Sequence, residues 1–138
     1  MPAQDLGLRA FTFACDIVRY TRQLSREPGV VRNIAWQLSS AATSAAANYE
    51  EAKGAYSRRE FAAKTSIALK EFRESKLWLG IVVACELGPL DEARRLHKEC
   101  DELVAMFTTS MKRLHPVGKL LLSLVLVLVT CYLSLLTS

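Results

Sequence analysis

Histidine is scarce in this 138-residue sequence. There are two, His97 and His115, and neither follows a glutamate at the three-residue spacing that di-metal sites in helical bundles use. His97 and Cys100 are three apart, but two ligands do not make a site. No metal or cofactor is expected. A glycine-rich phosphate loop is also missing, and no catalytic nucleophile declares itself. The four cysteines, Cys15, Cys85, Cys100 and Cys131, form no C-x-x-C pair. The opening "MPAQDLGLRAFTF" carries charges where a secretory h-region would be apolar. The thiols are therefore expected to be reduced and mostly buried, and the body cytoplasmic. Charge of one sign is not dominant either. Eighteen Lys and Arg stand against fourteen Asp and Glu, a net charge of +4. That is compatible with an anionic partner and does not require one.

What is present is helical punctuation. Pro28-Gly29, Gly54, Gly88-Pro89, Pro116 and Gly118 divide the chain into four segments of helical length. No sustained β-alternation falls between them. The first segment, residues 5–25, repeats Ala10, Phe13, Ile17, Tyr20 and Leu24 at helical spacing. The second, residues 34–53, has the stripe Leu38, Ala42, Ala45, Tyr49 and Ala52. The third opens at Ser57 with the capping box "SRRE", in which Ser57 accepts from the N–H of Glu60 and Glu60 reaches back. Its stripe is Phe61, Thr65, Ala68, Phe72, Leu79, Val82 and Val83. Residues 77–85 are apolar almost all round, so that end is expected to be buried on several sides. The fourth, residues 91–114, carries Ala93, Leu96, Cys100, Leu103, Phe107, Met111 and Leu114.

Short connections make sequence neighbours antiparallel. The fold expected is all-α, an antiparallel up-down-up-down four-helix bundle over residues 1–117, plus an apolar C-terminal helical tail over 118–138. Small side chains in the second segment let its neighbours approach closely, within the ~8–10 Å range of helix packing. Phe13, Phe61, Phe72 and Phe107 are the residues large enough to fill the space.

The stretch "QLSSAATSAAANYEEAKGAYSRREFAAKTSIALKEFRESKLWL" narrows the identity. It resembles the four-helix-bundle family encoded by intervening sequences inside bacterial 23S rRNA genes, which includes the accessory variability determinants of diversity-generating retroelements. The family pattern Q-L-x-x-S-x-x-S is met by Gln37, Leu38, Ser40 or Ser39, and Ser44. Its A-N-x-x-E-A is met by Ala47, Asn48, Glu51 and Ala52, and its S-R-x-x-F by Ser57, Arg58 and Phe61. Ile67, Ala68, Leu69, Lys70, Glu71, Arg73, Glu74, Trp78 and Leu79 meet I-A-L-K-E-x-R-E-x-x-x-W-L. The resemblance covers roughly residues 4–115. It implies a four-helix protomer that assembles as a ring-like homopentamer and acts as a non-enzymatic accessory to nucleic acid and a reverse transcriptase. Gly80 departs from the pattern, standing where the family often has a basic residue. The apolar stretch beyond Gly118 has no counterpart in it.

Two groups of residues are candidate sites. Ser44, Asn48 and Glu51 share one side of the second segment at i, i+4, i+7. With Lys70, Glu71, Arg73 and Glu74 of the third they form either an interhelical or intersubunit polar lock that fixes register or a set of solvated groups. A third reading is a carboxylate pair beside an amide doing acid–base chemistry. Trp78 lies off the main stripe and is a candidate for sealing a subunit interface. The second group is basic. Arg19, Arg22 and Arg26, with Arg32 nearby, form one strip; Arg58 and Arg59, and then Arg94, Arg95 and Lys98, form others. Either they contact nucleic-acid phosphates, or they are solvated beside Glu92, Glu99 and Glu102. No aromatics interleave with the arginines, so base stacking is not indicated.

Residues 120–138, "LLLSLVLVLVTCYLSLLTS", carry no charge. As one helix they would reach about 29 Å, against a bilayer core of ~30 Å. A membrane anchor with Lys112, Arg113 and Lys119 on the cytoplasmic side is one reading. A fifth packed helix and a reading-frame accident are the others. The expected function is a non-enzymatic, self-assembling bundle offering basic surface to RNA, DNA or a nucleic-acid enzyme such as a reverse transcriptase. The alternative is a membrane-tethered oligomeric scaffold that binds protein partners alone.

Overall fold

The computed structural model describes residues 5–114 and, beyond them, Leu126, Val127, Val129 and Tyr132, which are helical and exposed. The expected anchor falls almost wholly outside the described residues. Among those residues, no helix is long and apolar enough to cross a membrane.

Four helices follow one another: α1 (Leu6–Leu24), α2 (Val30–Lys53), α3 (Arg58–Ala84) and α4 (Leu90–Leu114). α1 packs on α2, α2 on α3, α3 on α4, and α4 back on α1. α1 and α3 therefore lie across one diagonal, α2 and α4 across the other. This is the expected all-α, up-down-up-down bundle.

The predicted stripes line its core. Ala10, Phe13, Ile17, Tyr20 and Leu24 of α1 are buried, as are Ala93, Leu96, Cys100, Leu103 and Phe107 of α4. α2 contributes Ala35, Leu38, Ala41, Ala42, Ala45 and Ala52, so five of its six buried residues are alanine. The volume they leave is taken by rings. Phe72 lies 5.9 Å from Phe13 and 4.8 Å from Phe107, and Tyr49 meets Phe107 edge-on at 4.8 Å. Phe61, expected among these fillers, is only partly buried.

Local chemistry fixes the ends. Asp5 caps α1, its Oδ1 accepting from the Gly7 N–H at 2.9 Å. Ser57 caps α3 by accepting from the Glu60 N–H at 3.1 Å. The Glu60 carboxylate reaches back one residue further than the usual box, to the Tyr56 N–H at 3.0 Å. Gly88 joins α3 to α4 at φ +67°, and a Cβ there would meet Leu24 Cδ2 at 3.0 Å. Both the backbone and the packing exclude a side chain at that turn.

Three expectations need correction. α2 starts at Val30 rather than residue 34, because Gly29 at φ +72° turns the chain and the first helical turn is largely solvated. Residues 77–85 are not enclosed: Leu79 and Val82 are buried, but Leu77 is 60% exposed and Ala84 and Cys85 are exposed. Among the described residues α3 packs on α2 and α4 alone, which leaves its outward side uncovered by them. The thiols are not mostly buried. Of the three described cysteines, all free, Cys100 alone is buried. Its Sγ donates to the Phe72 carbonyl at 3.2 Å, and burial pushes its pKa up to about 12.

Candidate assembly faces and basic surface

The α1–α4 seam is the least closely packed of the four. Polar side chains bridge it. Arg9 of α1 donates to Glu99 of α4 through Nε and Nη2, at 2.6 and 2.9 Å, and to Glu102. Its Nη1 also reaches Met106 Sδ at 3.1 Å. The two carboxylates hold the guanidinium firmly protonated. A turn and more further along, Arg95 of α4 spans Asp16 of α1 at 2.9 Å and Glu92 at 2.6 Å. Arg95 in turn holds the Glu92 carboxyl below the usual range. Tyr20 closes the row by donating to the Leu87 carbonyl at 3.0 Å. The sequence reading did not single out Arg9. Its i, i+4 relation to Phe13 on the buried face was the available signal.

Ser44, Asn48 and Glu51 do not engage the α3 residues expected to complete a lock. The Asn48 amide donates to the Ser44 carbonyl at 2.9 Å and to Ser44 Oγ at 3.3 Å, within α2. Glu51 does cross to α3, but its partner is Lys64, which sits nearly two turns nearer the α2–α3 connection than any cation predicted for it. Lys70 and Arg73 are exposed, and no hydrogen bond or ion pair involves them among the described residues. The Glu74 carboxylate accepts from Trp78 Nε1 at 3.2 Å. Burial, and then the Glu74 charge, raise the pKa of Glu71. Trp78 is only partly exposed and packs against the core. Trp36 is the exposed indole, at 65%.

The basic residues divide by partner. Arg19 pairs with Asp16 at 2.9 Å and Arg94 with Asp91 at 3.5 Å, while Arg95 is doubly engaged. Arg22, Arg26, Arg59 and Lys98 are exposed and have no carboxylate partner among the described residues. Arg58 is equally exposed and contacts only the Arg113 carbonyl, at 3.4 Å. Topology puts these free cations at both ends of the bundle. Arg22 and Arg26 close α1 where α4 begins. Arg58 and Arg59 open α3 where α4 finishes.

Two exposed apolar surfaces lie on opposite sides. One is an open groove of about 880 Å³ between α1 and α2, lined by Leu8, Phe11, Val18, Ala46 and Ala47 among others, with Glu50 and Lys53 near one end. Leu8 and Phe11 are each 62% exposed. Trp36 lies two turns before Thr43, another lining residue, on the same side of α2. The other surface is a shallow depression of about 410 Å³ along the α3–α4 seam, formed by Leu77, Gly80, Ile81, Ala84 and His97 with Arg73 and Lys76 at its rim. Gly80, the departure from the family pattern, lies here, with the His97 ring 3.8 Å from where a Cβ would be. In a square bundle the α1–α2 and α3–α4 sides face opposite ways. Among the described residues, no group of three or more His, Cys, Asp or Glu side chains is placed to hold a metal.

With the geometry in hand, comparison with known proteins gives a consistent result. The family described as 23S rRNA-intervening sequence protein matches residues 5–109. Among solved structures, a protein of unknown function from the S23 ribosomal protein family of Bacteroides thetaiotaomicron superposes with a TM-score of 0.70 at 28% identity. The match covers 78% of this chain and 98% of that one. No curated protein matches.

Proposed function

The chain belongs to the 23S rRNA-intervening sequence protein family, and from that premise we propose that it is a non-enzymatic, self-assembling bundle that presents basic surface to nucleic acid. One observation carries the assembly. A single copy leaves two different apolar surfaces exposed on opposite sides, the α1–α2 groove and the α3–α4 depression. A ring of more than two copies needs two unlike patches that fit each other, because each subunit meets its neighbours head to tail. The groove has small residues at Ala46 and Ala47, where a neighbour can approach, and Leu77 and Ile81 are the side chains that would enter it. Five copies is the number implied by the resemblance to the retroelement accessory proteins. A reverse transcriptase is the enzyme class that the same resemblance implies as partner.

Phe11→Glu places a charge in the groove and Leu77→Glu places one on the opposing patch. Each variant alone is expected to be monomeric by light scattering. Mixed together, they keep one intact groove and one intact α3–α4 face, and are expected to form a dimer and stop. Failure of the mixture to dimerise contradicts a head-to-tail contact through these faces.

The nucleic-acid part rests on cations that no carboxylate neutralises, chiefly Arg22 and Arg26, with Lys98 further along the same half of the bundle. Each phosphate contact adds a salt-dependent increment, and repetition around a ring multiplies the contacts. Arg22→Glu with Arg26→Glu is expected to weaken retention of single-stranded RNA at least tenfold and to flatten its salt dependence. Unchanged retention contradicts the assignment. A membrane-tethered scaffold is the second reading, supported by the uncharged residues 120–138.

A further inference from the structure

We propose that the end of the bundle from which the C-terminal residues leave docks onto an anionic lipid surface. At this end the start of α3 and the finish of α4 meet, with Arg58 Nη2 3.4 Å from the Arg113 carbonyl. Between them is a depression of about 520 Å³ lined by Arg58, Arg59, Ala62, Ala63, Met111 and Leu114. Arg58 and Arg59 line it, and Lys112 and Arg113 lie on the last turn of α4 at the same end. All four are exposed, and none pairs with a carboxylate among the described residues. The acid nearest in sequence is Glu60, whose carboxylate is turned onto the Tyr56 N–H at 3.0 Å. Tyr56 itself is completely exposed at the α2–α3 connection.

These parts suit a headgroup layer. The cations answer lipid phosphate and carboxylate. An exposed tyrosine ring is amphipathic and settles where water meets acyl chain. The alanine, methionine and leucine floor accepts glycerol and the first methylenes. The chain then leaves Leu114 through Lys119 into residues 120–138, which carry no charge. A phosphate backbone would use the cations but gain nothing from the apolar floor. At this end Glu50 and Glu51 are paired with Lys53 and Lys64 and Asp5 caps α1, whereas at the opposite end Glu27 and Glu86 lie beside Arg22 and Arg26 with no ion-pair partner among the described residues. The inference goes beyond the assembly reading and divides the cations, giving Arg58 and Arg59 to lipid and leaving Arg22 and Arg26 to nucleic acid.

The test uses residues 1–114, which omit the uncharged stretch and so separate the face from the tail. This unit corresponds to nearly the whole chain of the solved relative, which folds without any such extension. Each basic residue near an anionic surface contributes roughly a fivefold increase in partitioning. Cosedimentation with phosphatidylserine-containing phosphatidylcholine vesicles is expected to exceed that with pure phosphatidylcholine at least tenfold. Arg58→Glu with Arg59→Glu should abolish the difference, whereas Arg22→Glu with Arg26→Glu should leave it within twofold. Circular dichroism checks the fold, and Arg58→Gln with Arg59→Gln, expected to reduce the difference by about half on a logarithmic scale, serves if charge reversal unfolds the protein. Equal sedimentation with both vesicles, no sedimentation, or equal loss on reversing Arg22 and Arg26 overturns the proposal. RNA binding through Arg58 and Arg59 without vesicle binding overturns it in favour of nucleic acid.

Discussion

Arg9 shows what a single residue contributes here. It ties α1 to two carboxylates of α4 across the most open seam, from a largely buried position. Hydrogen bonds to charged groups are worth about 1.5–3 kcal/mol, and removing the cation leaves Glu99 and Glu102 facing each other. Arg9→Met is expected to destabilise the bundle by about 2–3 kcal/mol in urea unfolding. Glu71 predicts the opposite sign. Its folded pKa lies above its unfolded value because of burial and the Glu74 charge. Its ionised form therefore costs stability above both values, and the cost fades as pH falls and the carboxyl protonates. Glu71→Gln should raise the melting temperature at pH 7, with the gain shrinking through the acid range. Glu92, held down by Arg95, behaves conversely: its contribution is present above the ordinary carboxylate range and is lost as pH falls through its folded value. The Arg9 network was not legible in the sequence, because partners some ninety positions apart follow from topology and not from spacing. Topology likewise decides which cation Glu51 meets within one copy. Glu51 lies near the end of α2, so an antiparallel α3 presents Lys64 to it before Lys70 can arrive.

At the scale of the element, the stripes were readable because helical period and burial are the same fact seen twice. α2 is the clearest case, since its five core alanines are buried almost completely and the core they share is filled by the phenylalanines of α1, α3 and α4. Adding three carbons at such a position forces neighbours off their rotamers, at a cost of about 1–3 kcal/mol. Ala42→Leu should lower stability by that amount in chemical denaturation, whereas a leucine at exposed Ala47 should leave the protomer's stability unchanged. Element boundaries were less legible. Val30 and Val31 carry no periodic signal, so the first turn of α2 was missed. The apolar run at residues 77–85 was misread because an all-round apolar sequence says that surface will be covered without saying by what. Within one copy, three of its nine residues are exposed and two are buried.

At the scale of the whole molecule, these uncovered surfaces are the main fact. The fold and family could be read from the sequence because the "IALKEFRESKLWL" segment and the stripes agree. The two exposed apolar faces could not, since they are products of which helix sits opposite which. A protomer exposing Leu8, Phe11, Trp36 and Leu77 to this extent has apolar area that a second copy would remove from water, at roughly 25 cal/mol per Å². The most direct test is the molar mass of residues 1–114 by light scattering at micromolar concentration and moderate salt. A single species of several protomers, five by the resemblance, is the predicted result, and a stable monomer across the concentration range would contradict the account.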